Sequence, residues 1–166
     1  MKPSSIRSTL KHLIAVKRPP FLWGPPGVGK SDVVRQVATD LKLELRDVRL
    51  SLLDPIDHKG FPTIDTVKKQ MKWLAADFLP TKGKGILFFD EFNSAPQSVQ
   101  AATYQLILNR KIGDYVLPPG WDILAAGNRS SDRSVVHAMP AALANRFVHM
   151  DYDVDTEDWI DWAIKN

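Results

Sequence analysis

The feature that most constrains the fold is the run GPPGVGKS, residues 24–31. A short apolar run, FLW, precedes it, and SDVVRQVATDL follows with apolar residues at helical spacing. The three glycines of the run permit a tight turn that larger residues would resist. The pattern therefore predicts a strand, a glycine-rich loop and a helix in direct succession, which is a unit of a parallel α/β sheet.

Strand and helix patterns alternate along the rest of the chain. Apolar spacing predicts a first helix that ends before Pro19. GILFFDEF is apolar throughout until its two acids, as expected of a central parallel strand buried on both faces. The other predicted strands are LELRDVRLSL, WDILAAGN and VHMDYDV, and the other predicted helices start near Ser94, near Pro140 and at Thr156. This alternation predicts an α/β fold of three layers with right-handed crossovers.

The composition fits one globular domain and excludes several kinds of site. The chain has 166 residues, 44% hydrophobic and 25% charged, which is enough for one substantial core. It has no cysteine, which excludes disulfides, thiolate metal sites and cysteine nucleophiles. The net charge of +3 is too small to indicate a polyanionic partner by itself. The apolar run at residues 13–16 is too short for a signal peptide or a membrane span, so we expect a cytoplasmic protein.

GPPGVGKS satisfies the pattern G-x-x-x-x-G-K-[ST] between a predicted strand and a predicted helix, which is the context of a phosphate-binding loop. Loop N–H groups and the positive end of the helix would face the phosphates. Lys30 is predicted to reach the β- and γ-phosphates, and Ser31 to bind Mg²⁺. The alternative, a glycine-rich turn with an incidental lysine, is disfavoured by this context. The predicted nucleotide-binding residues are Gly24, Pro25, Pro26, Gly27, Val28, Gly29, Lys30, Ser31 and Asp32.

Two adjacent acids, Asp90 and Glu91, end the run GILFFDEF. Ligands bind at the carboxyl edge of parallel sheets, so both acids are expected beside the phosphate loop. Two acids there are costly unless a cation or a substrate uses them. Asp90 is predicted to hold Mg²⁺, mainly through bound water, and Glu91 to orient and activate an attacking water. The alternative is that both acids only cap the strand.

Asn128 closes the predicted strand WDILAAGN. A neutral amide at the carboxyl edge can hydrogen-bond an attacking water or a γ-phosphate without competing for the proton. Asparagine is also common in ordinary turns, so the prediction depends on its position after a strand of this sheet.

Arg146 follows a short predicted helix in the stretch AALANRFVHM. Phosphoryl transfer develops negative charge on the γ-phosphate oxygens, and an arginine accelerates the reaction by stabilising it. We predict that Arg146 acts in the site of a neighbouring copy, in head-to-tail packing that closes into a ring. The alternatives are a cation that only stabilises the end of its helix, and Arg129 or Arg133 in the same catalytic role.

The motifs GPPGVGKS, ILFFDE, AAGN and NRF, in this order, resemble those of AAA+ ATPases. A finer resemblance, to the MoxR-like or dynein-related AAA+ group, covers nearly the whole chain. The segments that carry it are RLSLLDPIDHKGFP, FLP, RKIGDYVLPPGW, AAGNRSSDRSVVHAMPAALANRF and DTEDWIDWA. The resemblance implies a Mg²⁺-dependent ATPase that binds ATP and ADP and forms a homo-oligomeric, hexameric ring. Such proteins remodel other proteins, often with a von Willebrand factor A-type partner.

The resemblance also implies two β-hairpins that face substrate near the pore of the ring. They are GFPTIDTVKKQMKW, interrupting the second helix, and KIGDYVLPPGW, before the strand WDILAAGN. The expected domain is one AAA+ core over residues 1–166, with the C-terminal helical lid largely missing after residue 155. The chain is accordingly expected to be truncated or minimal, and residues 6–10 are a candidate for adenine contacts by analogy.

Basic residues in the first hairpin leave a second function open. Lys68, Lys69 and Lys72, with Trp73, would suit contacts with nucleic-acid phosphates and bases. A DNA-acting AAA+ motor, such as a helicase, a loader or a restriction-type translocase, is therefore the alternative to protein remodelling. A solvated hairpin face is the favoured interpretation of these lysines. A scaffold that binds ATP without turnover is a third hypothesis, against which Glu91 argues.

Overall fold

The structure is a computed structural model that describes residues 1–54, 57, 60–67, 69–132 and 136–165, without the side chains at 159, 161–163 and 165. The described helices are α1 (Pro3–Ala15), α2 (Lys30–Asp40), α3 (Gln97–Asn109), α4 (Ala141–Ala144) and α5 (Thr156–Lys165). The described strands are β1 (Pro20–Trp23), β2 (Glu44–Arg49), β3 (Phe61–Asp65), β4 (Gln70–Leu74), β5 (Gly85–Asp90), β6 (Lys111–Ile112), β7 (Tyr115–Val116), β8 (Trp121–Gly127) and β9 (Val148–Asp151).

Five strands form one parallel sheet in the order β2-β5-β8-β1-β9. The strand β8 lies between β1 and β5, pairing Phe21 with Ala125 on one side and Phe88 with Leu124 on the other. The carboxyl ends of these three strands are therefore neighbours. As a result, the glycine-rich loop after β1, the residue after β8 and the acids that end β5 lie side by side.

Alternating residues of the strands build two cores, one on each face of the sheet. On β5, Ile86 and Phe88 belong to the core shared with α1 and α2. Leu87 and Phe89 belong to the core shared with α3 and with residues of the α4 region. All four side chains are fully buried, which explains why this strand has no polar face. The predicted three-layer α/β fold is confirmed.

Two antiparallel hairpins, β3–β4 and β6–β7, extend from the core at the positions that the resemblance implies. The first hairpin was expected to interrupt the second helix, and residues 55, 56, 58 and 59, just before this hairpin, lie outside the described residues. None of the helices in the described part of the chain combines the length and the apolarity needed to cross a bilayer.

The predicted strand LELRDVRLSL is too long at its carboxyl end. The strand ends at Arg49, and Leu50–Leu52 form a 3₁₀ turn instead. The alternating pattern continues to Leu52, but the side chain of Leu50 is fully buried in the core under α3, and the backbone turns there. This turn carries Ser51 toward the acids at the end of β5.

Candidate nucleotide-binding site

The loop between β1 and α2 needs its glycines for conformation and for space. Gly27 and Gly29 have φ angles of +79° and +91°, in the left-handed region that other residues rarely adopt. A Cβ on Gly24 would lie 3.1 Å from the Cβ of Tyr152, a tight contact with a buried side chain. Gly29 also caps the start of α2, where no side-chain cap is found in the described structure. The positive end of this helix therefore faces the loop without a competing side chain.

Lys30, the first residue of α2, is nearly buried at 8% exposure. Its ammonium donates hydrogen bonds to the carbonyl oxygens of Gly24 at 2.7 Å and Pro25 at 2.9 Å, and to Oδ1 of Asn128 at 3.1 Å. Burial lowers the pKa of Lys30, and the nearby carboxylate of Asp90 partly opposes the shift. The result is a poorly solvated cation inside the loop, which a bound anion would stabilise.

Ser31 and Asp90 come together from α2 and β5. The Ser31 hydroxyl donates to Oδ2 of Asp90 at 2.6 Å, and Oδ1 of Asp90 accepts the N–H of Glu91 at 2.8 Å. Hydroxyl and carboxylate oxygens are the hard ligands that Mg²⁺ prefers. Neither side chain is fully buried. The pair therefore fits a magnesium ion that keeps several of its waters and also binds phosphate oxygens.

Glu91 has a left-handed backbone, with φ +54° and ψ +34°. For a residue with a side chain this conformation costs about 1–2 kcal/mol. It ends the regular strand and starts the 3₁₀ turn Phe92–Ser94. The Ser51 hydroxyl donates a hydrogen bond to Oε2 of Glu91, so the 3₁₀ turn after β2 fixes this carboxylate. The sequence reasoning missed Ser51, because its role depends on the turn after β2.

Asn128 follows β8 and is held by a second asparagine. Nδ2 of Asn93 donates to the carbonyl oxygen of Asn128 at 2.7 Å, and Oδ1 of Asn93 accepts the N–H of Asn128 at 3.1 Å. Asn93 is nearly buried, at 3% exposure. The sequence reasoning missed it as well. The only signal was its place two residues after Glu91, and its partner lies 35 residues away.

Arg146 lies on the surface, just after α4. Its neighbours anchor it, because Leu143 and Phe147 are buried and the Phe147 ring packs edge-on against Phe21 at a centroid distance of 5.3 Å. Within the described residues, the Arg146 side chain forms no hydrogen bond or ion pair. The structure therefore does not bring Arg146 together with the other predicted residues, but presents it on a fixed backbone at the surface.

The two alternative arginines are placed differently. Arg129 forms ion pairs with Asp151 at 3.0 Å and Asp153 at 3.2 Å. The hydrogen bond that Arg129 donates to Asp153 and the neighbouring charge of Asp151 raise the pKa of Arg129. Its charge is therefore already paired within its own chain. Arg133 lies outside the described residues.

The model of the ATPase family associated with various cellular activities, abbreviated AAA, matches residues 20–150. This chain belongs to the AAA family. The matched region runs from the first residue of β1 to the third residue of β9, and so contains the parallel sheet of this AAA domain except the last residue of β9, and every predicted site residue. The sequence has no significant match among curated proteins.

Solved structures of other proteins share the fold of this AAA domain. A presumed ATPase from Cytophaga hutchinsonii has a TM-score of 0.71 and 21% identity, over 95% of this chain and 48% of that one. A mutant RuvB from Thermotoga maritima has a TM-score of 0.65 and 18% identity, over 96% and 49%. NtrX from Brucella abortus in complex with ADP has a TM-score of 0.62 and 16% identity, over 89% and 34%. The AAA domain thus spans half or less of the length of these chains.

The remaining predicted loop residues of the AAA domain are Pro25, Pro26, Val28 and Asp32. Pro26 and Val28 lie within the loop, and the carbonyl of Pro25 accepts from Lys30. The exposed side chain of Asp32 pairs with Arg35 at 2.5 Å, one turn along α2. Any contact of Asp32 with a phosphate would therefore come from its N–H group.

Proposed function

We propose that this AAA domain binds ATP with Mg²⁺ and hydrolyses it, as part of a ring-forming, MoxR-like ATPase that remodels a protein partner. One observation carries the proposal. Lys30, the Ser31–Asp90 pair and Glu91 converge around the glycine-rich loop at the carboxyl edge of the sheet. A structural neighbour, NtrX, was solved with ADP, which supports a nucleotide as the ligand.

The loop and Lys30 would bind the β- and γ-phosphates. The ammonium of Lys30 has lost most of its contact with water, and its described partners are three neutral oxygens. Exchanging a neutral oxygen for a phosphate oxygen strengthens the hydrogen bond, because both partners then carry charge. Ser31 and Asp90 would hold the magnesium ion, which when bound neutralises charge on the phosphate oxygens.

The side chain of Asn128 can only donate a hydrogen bond to the substrate, because its oxygen already accepts from Lys30. Lys30 has no acceptor, so the Asn128 atom that it contacts must be the oxygen Oδ1. The Nδ2 group is then left to donate to a γ-phosphate oxygen or to the attacking water. An uncharged donor at this position stabilises developing negative charge without taking the proton that Glu91 has to accept.

Glu91 is the proposed general base. As the oxygen of water forms its bond to the γ-phosphorus, the bond from that phosphorus to the β–γ bridging oxygen breaks, and a water proton passes to the Glu91 carboxylate. One carboxylate oxygen, Oε2, already accepts from Ser51. The other oxygen is the one available to the water, so Ser51 fixes which lone pairs face the substrate.

Arg146 would complete the site of a neighbouring subunit. It is exposed on a backbone that Leu143 and Phe147 anchor, and the described residues of its own chain leave its charge unpaired. An arginine in that position can stabilise the charge of the transition state. Because one subunit would supply the loop and the next would supply Arg146, full turnover requires assembly.

The β3–β4 hairpin favours a polypeptide as the partner that is moved. It exposes Ile64 (79%), Val67 (91%) and Met71 (64%), with Ile64 and Met71 directly opposite each other. Apolar side chains of this kind suit contact with protein more than contact with phosphates. Lys69 and Lys72 are also exposed, which leaves a DNA-acting motor as the second candidate. Lys68 lies outside the described residues.

A binding measurement separates these two partners. Fluorescence anisotropy of labelled duplex and single-stranded DNA, at low and high salt and with ATP present, tests the second candidate. Binding that weakens steeply with salt would favour a DNA motor over a protein remodeller. We expect no DNA binding even at low salt.

The variant Glu91→Gln tests the proposed chemistry. It keeps the shape and the Ser51 contact but removes the base, so turnover should fall by about 100-fold or more. ATP affinity should change little. The control is Glu44→Gln, because Glu44 starts β2 at the opposite edge of the sheet and pairs only with Arg46 among the described residues. Turnover that is equal in Glu91→Gln and Glu44→Gln would refute the role of Glu91.

A further inference from the structure

The backbone of Asn128 is held by the side chain of Asn93. The ladder between β5 and β8 ends at the pair Phe89–Ala125, and the ladder between β1 and β8 ends at the pair Trp23–Gly127. Asn128 comes three residues after the end of the first ladder and one residue after the end of the second. No strand in the described structure pairs with its backbone, yet both its N–H and its carbonyl oxygen are hydrogen-bonded, and Asn93 supplies both partners.

The side chain of Asn93 therefore takes the place of a strand. A short planar amide presents one donor and one acceptor side by side, as an extended backbone does. Aspartate would offer acceptors only, and leucine, with the same branched skeleton, would offer neither. The space for this arrangement comes from Gly127, where an added Cβ would lie 2.4 Å from Oδ1 of Asn93.

Asn93 is also tied to the acid at the end of β5. It lies in the 3₁₀ turn that follows Glu91, in which the N–H of Ser94 donates to the Glu91 carbonyl at 3.0 Å. On its other side, the Asn93 carbonyl accepts the N–H of His137 at 2.7 Å. The turn is therefore held at both ends, and a shift of Asn93 would move the backbone of Glu91.

We propose that Asn93 is a positioning residue that fixes Glu91 and Asn128 relative to each other for ATP hydrolysis. This inference rests on the proposed function. The base and the neutral donor must contact the same water or γ-phosphate, and they arise from different strands. Asn93 joins them directly, with two hydrogen bonds to the backbone of Asn128 and one intervening residue to Glu91. Lys30 is joined to the same unit through Oδ1 of Asn128.

The variant Asn93→Leu tests this role. It keeps the number and the branching of the side-chain heavy atoms and removes both hydrogen bonds. The control is Gln100→Leu, because Gln100 is another nearly buried amide, at 2% exposure, whose Nε2 bonds the carbonyl of Ala95 and whose Oε1 has no partner in the described structure. Three quantities are measured on the full chain: hydrogen exchange at the Asn128 amide, ATP affinity and kcat.

A positioning role predicts that hydrogen exchange and kcat change strongly while ATP affinity changes little. In Asn93→Leu, exchange at the Asn128 amide should rise about tenfold beyond any change in global stability, since its acceptor is lost. The kcat should fall roughly 10- to 100-fold, because small misplacements of reacting groups have effects of that size. ATP affinity should change by less than about threefold, since the loop itself is intact. Gln100→Leu should leave all three quantities unchanged.

The outcomes separate the inference from the proposed function. If wild-type protein hydrolyses ATP and Asn93→Leu has a normal kcat despite faster exchange at Asn128, Asn93 is only structural and the inference is overturned. If assembled wild-type protein does not hydrolyse ATP, the proposed function is refuted, and so is the inference, because it rests on that function. Should Asn93→Leu not fold, Asn93→Asp replaces it. That variant keeps an acceptor for the Asn128 N–H, so it predicts retained amide protection with a lowered kcat.

Discussion

Gly127 offers a direct test of the packing around Asn128. An alanine at this position would place its Cβ 2.4 Å from Oδ1 of Asn93 and 2.9 Å from Cζ of Phe21. The φ angle of Gly127 is not in the left-handed region, so alanine meets no conformational penalty there. Any loss of stability in Gly127→Ala therefore comes from steric contact with buried side chains.

The size of the effect follows from two contributions. Overpacking a buried site costs about 1–3 kcal/mol. Displacing Asn93 would also weaken its two hydrogen bonds to Asn128, at about 1 kcal/mol each. The free energy of unfolding should thus fall by about 3–5 kcal/mol. For a chain of this size the melting temperature should fall by roughly 6–20 °C.

Urea denaturation of matched variants measures this effect. The control is Gly113→Ala, because an added Cβ at Gly113 has nothing within 4 Å, and its φ of +55° makes the cost purely conformational. That cost is about 1–2 kcal/mol. In the background Asn93→Ala, the cost of Gly127→Ala should shrink, because the atom that it meets is gone. If Gly127→Ala costs no more than Gly113→Ala in the wild-type background, Asn93 does not pack against Gly127 as described.

Three further predictions concern catalysis and pH. Mixing Arg146→Ala chains with Lys30→Ala chains should restore part of the ATPase activity that each variant lacks alone. At some interfaces the first variant supplies an intact loop and the second supplies an intact arginine. If chains that assemble recover no activity at any mixing ratio, the role of Arg146 in trans is contradicted. Ser51→Ala should lower kcat several-fold without weakening ATP binding, because the Glu91 carboxylate loses its anchor, and an unchanged kcat would argue against that anchor. Burial raises the pKa of Tyr115 to about 12, above the value near 10 of an unfolded tyrosine. Between these two pH values the folded state therefore binds more protons than the unfolded state. The free energy of unfolding should consequently fall as the pH rises from about 10 to about 12. Tyr115→Phe should flatten that fall in urea denaturation, and an equally steep fall would show that other groups cause it.

The candidate-site residues that the sequence could indicate were those with local signals. Lys30 and Ser31 lie within one eight-residue pattern, and Asp90 directly follows an apolar run that is typical of a doubly buried strand. The periodicity of the strands and helices also predicted the three layers. Each of these signals comes from residues that lie close together in the chain, so it can be recognised in a single sequence.

What the sequence did not reveal depends on contacts between distant segments. Asn93 matters because β8 lies next to β5, which places Asn128 against it across 35 residues of chain. Ser51 matters because the buried side chain of Leu50 ends β2 early and turns the backbone toward Glu91. Neither residue has a distinctive spacing or composition around it, so only the strand order and the turn identify them.

Calorimetric titration of ATP with Mg²⁺ tests the central claim most directly. The folded wild-type chain and Glu91→Gln should both bind, with similar affinity, because the loop, Lys30 and the Ser31–Asp90 pair are intact in each. Lys30→Ala should bind at least about tenfold more weakly, since it loses a charge-assisted contact with the phosphates. A folded wild-type chain with no measurable affinity for ATP, or Lys30→Ala with wild-type affinity, would contradict the account.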